Sequence, residues 1–205
     1  MKYHRIFLLP VLFALALSAS AQDQHVRTEY MKDIKMTKVE TDLMYVLNTP
    51  AQFAQVSLVS RYKGEKLVKP PTQITLSIWS TSKEALYRKE KDRKLLVKTD
   101  GEEWSLETTT HLVMKGETKG GKDTFYSENR PALGMQIPVP MSATVRNGDN
   151  VNGLFMELMH IEMKPEQFAK IANAKKVEFR MGNTSFAFTE DQMNTVRDFA
   201  GRIKP

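Results

Sequence analysis

The stretch Val177-Glu178-Phe179-Arg180-Met181-Gly182-Asn183-Thr184-Ser185-Phe186-Ala187-Phe188-Thr189-Glu190-Asp191-Gln192 decides the fold class. Val177, Phe179 and Met181 alternate with Glu178 and Arg180, the period-two signature of a half-buried strand. Gly182-Asn183-Thr184 then turns the chain into a second strand over 185–188. Thr189 followed three residues later by Gln192 is a capping box, in which a hydroxyl and an amide satisfy two orphan backbone groups reciprocally. The helix it opens places Met193, Val196, Ala200 and Ile203 on one stripe. Just upstream, Pro165 suits the first position of another helix, with Phe168, Ile171 and Ala172 on its inner face. Residues 154–163 before it read as a strand with Phe155, Met159, Ile161 and Met163 on one side. The C-terminal order is therefore β-α-β-β-α.

Further toward the N-terminus the pattern is almost wholly period two. Val39, Thr41, Leu43, Tyr45 and Leu47 alternate with Glu40, Asp42 and Met44, which predicts one continuous strand. Ala54, Val56, Leu58 and Tyr62 form a second set, and Ile74, Leu76 and Ile78 a third, against Thr75, Ser77 and Trp79. Asp100-Gly101 between 95–99 and 102–107 is a strong hairpin signal, and Lys119-Gly120-Gly121-Lys122 marks another. Together the halves predict an α+β fold: an antiparallel β-sheet of about eight strands with two C-terminal helices packed on one face. One stretch resists the scheme. The arm 129–153 is 25 residues long, with Pro131, Pro138, Pro140 and three glycines. Its apolar residues Met135, Ile137, Val139 and Met141 alternate, but its prolines exclude an interior strand.

The N-terminus reads as an export signal. Lys2 and Arg5 precede the apolar run 6–17, and Ala19 and Ala21 have the spacing that signal peptidase accepts. The run is shorter than the ~20 residues of a membrane span, and no other run approaches that length. The organisation expected is a signal peptide over 1–21 and a single α+β domain over 22–205, exported to the periplasm or the extracellular space. Loss of Lys2 and Arg5 lowers the formal net charge from +6 to +4. Cysteine is absent, which removes disulfides, thiolate nucleophiles and cysteine-ligated zinc from consideration. With 41% hydrophobic and 26% charged residues the chain has the makings of a core, so disorder is excluded. Basic and acidic residues interleave, as in Arg88-Lys89-Glu90-Lys91-Asp92-Arg93-Lys94, and no nucleic-acid motif accompanies them.

Catalytic and metal motifs mostly fail on their own terms. The run 116–123 nearly spells a phosphate-binding loop, but Asp123 replaces the magnesium-binding hydroxyl and a strand, not a helix, follows. His160 and Glu162 point the same way on a strand, yet the mature chain has only His25 and His111 to add as imidazole ligands. Met156, Met159 and Met163 surround His160, a donor set that suits Cu(I), although strand geometry turns Met156 away from the other two. The carboxylate pairs Glu102-Glu103 and Glu40 with Asp42 fall on turns and exposed faces. No motif calls for a cofactor.

The function expected is a secreted, non-enzymatic binding or cell-envelope interaction domain, for an apolar ligand or an envelope protein. A metal-independent carboxylate hydrolase is the alternative, and soft-metal (copper) binding a minor one. The candidate ligand-binding residues are Met135, Ile137, Val139 and Met141 of the arm with Met159 and Met163 of the strand after it, since thioether surfaces adapt to varied apolar ligands.

Overall fold

Alternation of apolar and polar residues is realised almost throughout the computed structural model, which describes residues 25–119, 122–127 and 151–204. In chain order the strands are β1 (Val26–Met31), β2 (Met36–Thr41), β3 (Met44–Asn48), β4 (Gln52–Lys63), β5 (Ile74–Ser82), β6 (Leu95–Thr99), β7 (Glu102–Leu106), β8 (Thr108–Lys119), β9 (Lys122–Ser127) and β10 (Phe155–Met163). Helix α1 (Pro165–Asn173), β11 (Val177–Met181), β12 (Thr184–Ala187) and helix α2 (Glu190–Arg202) complete the chain. The C-terminal β-α-β-β-α order stands as read from the sequence.

The strands form two antiparallel sheets. Eight build the larger, in the order β1-β2-β4-β5-β10-β8-β9, with β3 also paired to β4. Four build a second sheet, β12-β11-β6-β7, which the sequence did not separate from the first. Its β6–β7 hairpin turns on Asp100 and Gly101, both at positive φ, as a tight primed turn requires. The Asp100 carboxylate also accepts from the Lys175 and Lys176 amides at the end of α1.

One core joins both sheets and both helices. The inner face of the large sheet supplies Val56, Leu58, Leu76, Ile78, Met159 and Ile161, the small sheet Val97, Val177 and Phe179, and the helices Phe168, Val196 and Phe199. Phe168 and Phe199 meet edge to face at 5.5 Å where the helices cross. Each such side chain removed from water contributes about 1.5–3 kcal/mol, so this shared interior carries most of the stability.

The strand predicted over 39–47 is two strands. Val39 and Thr41 face the core, but after Asp42-Leu43 it is Met44 that is buried and Tyr45 that faces out. The Asp42 amide donates to the His25 carbonyl, which ends β2, and the chain restarts alongside the other half of β4 one residue out of phase. A one-residue shift exchanges the faces of every later side chain.

Candidate functional site

The two faces of β10 separate the candidate residues. Met159, Ile161 and Met163 point inward, and both methionines are fully buried in the main core. Met156, Leu158, His160 and Glu162 point to the opposite, outer face of the large sheet. The three thioethers around His160 therefore do not converge, and among the described residues no group of three His, Asp or Glu side chains is placed to hold a metal. Met135, Ile137, Val139 and Met141 lie outside the described residues.

The outer face carries a second apolar cluster. Met114, Phe125, Val151, Met156 and Leu158 are its buried members, with Trp79, Leu112 and Leu154 half-exposed against them. Strand register builds it in rows. Gln55, Trp79, Leu158 and Leu112 lie side by side across β4, β5, β10 and β8, and Phe53, Thr81, Met156 and Met114 form the row beside them. Gly116 belongs to the same design: its amide donates to the Leu154 carbonyl, and any Cβ there would run into the Val151 carbonyl oxygen. The described parts of the run read as a near phosphate loop are thus strand, residues 116–119 on β8 and 122–123 on β9, with Lys119 opposite Lys122.

Gln55 is the anomaly of this face. It is 0% exposed, and among the described residues neither its amide nitrogen nor its oxygen has a hydrogen-bond partner. A buried amide without partners costs about 1–3 kcal/mol, and such a group in a folded protein calls for a specific reason.

Away from Gln55 the face becomes polar. Ser57, Ser77, His160 and Thr110 form the next row, followed by Val59, Thr75 and Glu162. Partial burial, and next the Arg61 guanidinium, hold the His160 imidazole below its usual range; Glu162 opposes them and does not prevail. The surface grades from apolar to hydrogen-bonding to charged within one sheet face.

A second polar constellation, missed by sequence reasoning, lies inside. Glu157 is 0% exposed. Its oxygens accept from the Leu86 and Tyr87 amides at 2.6 and 3.0 Å, and His111 Nε2 lies 3.0 Å from Oε1. Tyr87 Oη donates to Thr184 Oγ1, Thr184 to Gln52 Oε1, and Gln52 Nε2 to both Tyr87 Oη and Ser80 Oγ. Burial pushes the Tyr87 phenol above its ordinary range, assisted by Glu157 and opposed by the bonds to Thr184 and Gln52. These groups satisfy one another, the condition under which a buried polar network fixes geometry. The predicted carboxylate pairs are at the surface instead, Glu102 on Lys170 and Asp42 beside Arg27.

Two grooves open among the described residues. One of about 400 Å³ crosses the outer face of the small sheet, over Leu96, Lys98, Glu178 and Arg180. The other, of about 420 Å³, opens beside the end of β4. No described helix is long and apolar enough to cross a membrane. No protein-family model, curated protein or solved structure matches the chain, so the reading of its site rests on its own residues.

Proposed function

We propose that the protein is a non-enzymatic binding domain, exported by its first 21 residues, that takes an apolar ligand carrying at least one hydrogen-bonding group on the outer face of its large sheet. The observation that carries this reading is Gln55: an unpartnered amide buried in the row that contains Trp79, Leu158 and Leu112. A primary amide offers both a donor and an acceptor, so a carboxylic acid, ester or amide group would answer it while the remainder lies over apolar side chains. Met159 and Met163 face the main core, so the thioether on the side of the sheet this reading concerns is that of Met156, itself buried beneath the outer-face cluster. A carboxylate-based hydrolase has less support, because the deeply buried carboxylate, Glu157, already has both oxygens occupied.

Trp79 is a built-in reporter, since Trp104 is the only other tryptophan. In a Trp104→Phe background, titration with the apolar dye N-phenylnaphthylamine should give saturable energy transfer from Trp79. Gln55→Leu should weaken that signal about ten-fold while raising stability by about 1 kcal/mol, because it removes an uncompensated desolvation. Absence of saturable transfer, or undiminished transfer in Gln55→Leu, would overturn the reading. So would ester or glycoside turnover abolished by one Asp or Glu substitution. For export, N-terminal sequencing of the secreted chain should begin at Gln22; a chain still carrying Met1 would refute it.

A further inference from the structure

We propose that one end of the large sheet is a docking surface for an anionic lipid bilayer. Two turns meet there. Met36 pairs with Lys63, the Gly64 amide donates to the Lys35 carbonyl at 2.9 Å, and Thr37 Oγ1 donates to the Gly64 carbonyl at 2.6 Å. The β1–β2 turn is thereby fastened to the long β4–β5 connection. Each presents one aliphatic side chain to water: Ile34, 59% exposed, and Val68, 79% exposed. The connection is itself braced, since Pro71 is buried and Ser60 Oγ donates to the Gln73 carbonyl. Val68 is therefore held out by a structured loop.

Charge surrounds these two residues. Within the two turns and the end of β4, Lys32, Lys35, Arg61, Lys63, Lys66 and Lys69 outnumber Asp33 and Glu65 by four, while Glu162 lies on the outer face on the Arg61 side. None of the six cations lies within ion-pair distance of a carboxylate among the described residues. Some lysines outside the patch are paired, as Lys38 is with Glu40 and Lys176 with Glu178, so the distinction of this patch is its density of cations around aliphatic side chains. The groove of about 420 Å³ opens within this patch, bordered by Arg61, Lys63 and Lys69 on one hand and Met36, Val68 and Pro70 on the other. Cations around a cleft with an aliphatic rim match the phosphodiester headgroup and acyl boundary of an anionic lipid leaflet.

A nucleic acid is a poorer fit. Its faces pair cations with exposed aromatic rings for stacking, whereas the aromatic lining this groove, Tyr62, is partly buried and packed against the main core, and the exposed Tyr45 and Tyr126 lie elsewhere on the sheet. An acidic protein would satisfy the lysines but gives no reason for aliphatic side chains at the apex.

Flotation of the purified chain with phosphatidylcholine vesicles, and with mixed phosphatidylcholine–phosphatidylglycerol vesicles, reads the interaction directly. Association with the mixed vesicles alone is expected, weakened by salt. Lys66→Gln/Lys69→Gln and Ile34→Ser/Val68→Ser should each weaken it about ten-fold. These four positions are exposed, so thermal midpoints should not change. Val68→Trp supplies a gain of signal, a blue-shifted emission seen only with mixed vesicles. Gln55→Leu should float as the parent does, which separates this surface from the outer-face site. Failure to float with mixed vesicles overturns the proposal, as does full binding by Ile34→Ser/Val68→Ser. Heparin binding that competes fully with vesicles and is indifferent to Ile34 and Val68 would identify a polyanion site instead.

Discussion

Gln55 and His160 show how much one side chain on a strand can say about a surface. A glutamine within an otherwise apolar row sacrifices stability in the free protein, and a ligand that meets both amide atoms recovers it. His160, two strands away, records the other end of the gradient. Burial and Arg61 favour its neutral form in the fold, so its folded pKa lies below the unfolded value. In acid the unfolded chain takes up the proton first. The stability His160 contributes is therefore complete above about pH 6.5 and is lost as pH falls through its lowered folded pKa. Proton NMR of the ring should give a midpoint below 6.5, and Arg61→Gln should move it upward. His160→Asn should flatten part of the fall in urea midpoint between neutral and acidic pH. A midpoint at or above 6.5 would contradict the placement beside Arg61.

At the scale of elements, the C-terminal helix illustrates local signals recruited into tertiary structure. Thr189 Oγ1 accepts from the Gln192 amide, and Gln192 Oε1 accepts from the Thr189 amide, as the capping box requires. The Gln192 Nε2 does more: it donates to the Tyr45 carbonyl of β3 at 2.6 Å, joining the helix start to the large sheet. Thr189→Ala should cost about 1 kcal/mol, the usual value of a lost cap. Gln192→Ala should cost more, about 2 kcal/mol, because a bond to another element goes with the cap. Equal urea midpoints for the two variants would show that the Tyr45 contact contributes nothing. The same strand, β3, was misphased in the sequence. Its alternation continued that of β2, and only the His25–Asp42 bond reveals the break.

Across the whole molecule, Glu157 ties the halves together. The connection 83–94 leaves β5 in the large sheet and enters β6 in the small one, and the Glu157 carboxyl holds its Leu86 and Tyr87 amides against β10. Tyr87 then reaches Thr184 of β12, so a single polar chain spans from the centre of one sheet to the edge of the other. Arg93 reinforces the connection through the Tyr87 and Arg88 carbonyls. The outer face of the large sheet thus sits on a rigid support, with the apolar cluster, Gln55 and the basic end all on strands or fastened turns.

Strand period, hairpin chemistry and helix caps are set within about ten neighbouring residues, and these were legible from the residues alone: the α+β class, an eight-stranded sheet, the Asp100-Gly101 turn, and the shared side of Met159 and Met163, though not that this side is the main core. Even a trace of the second cluster was present, since Leu154, Phe155, Met156, Leu158 and Met159 make a run apolar on both faces, as in a strand covered on two sides. Strand β1 left little trace, because its residues 27–29 are Arg, Thr and Glu and all are exposed. The division into two sheets, the isolation of Gln55, the Glu157–His111 pair and the fastening of the turn that carries Ile34 to the loop that carries Val68 needed the folded chain. Each depends on residues far apart in the chain being brought together, as Gln52 with Ser80, 28 positions apart, and Tyr87 with Thr184, 97 apart, are. No local pattern encodes which strand will lie beside which, because pairing energy is shared across the whole interior and is realised only when the core closes.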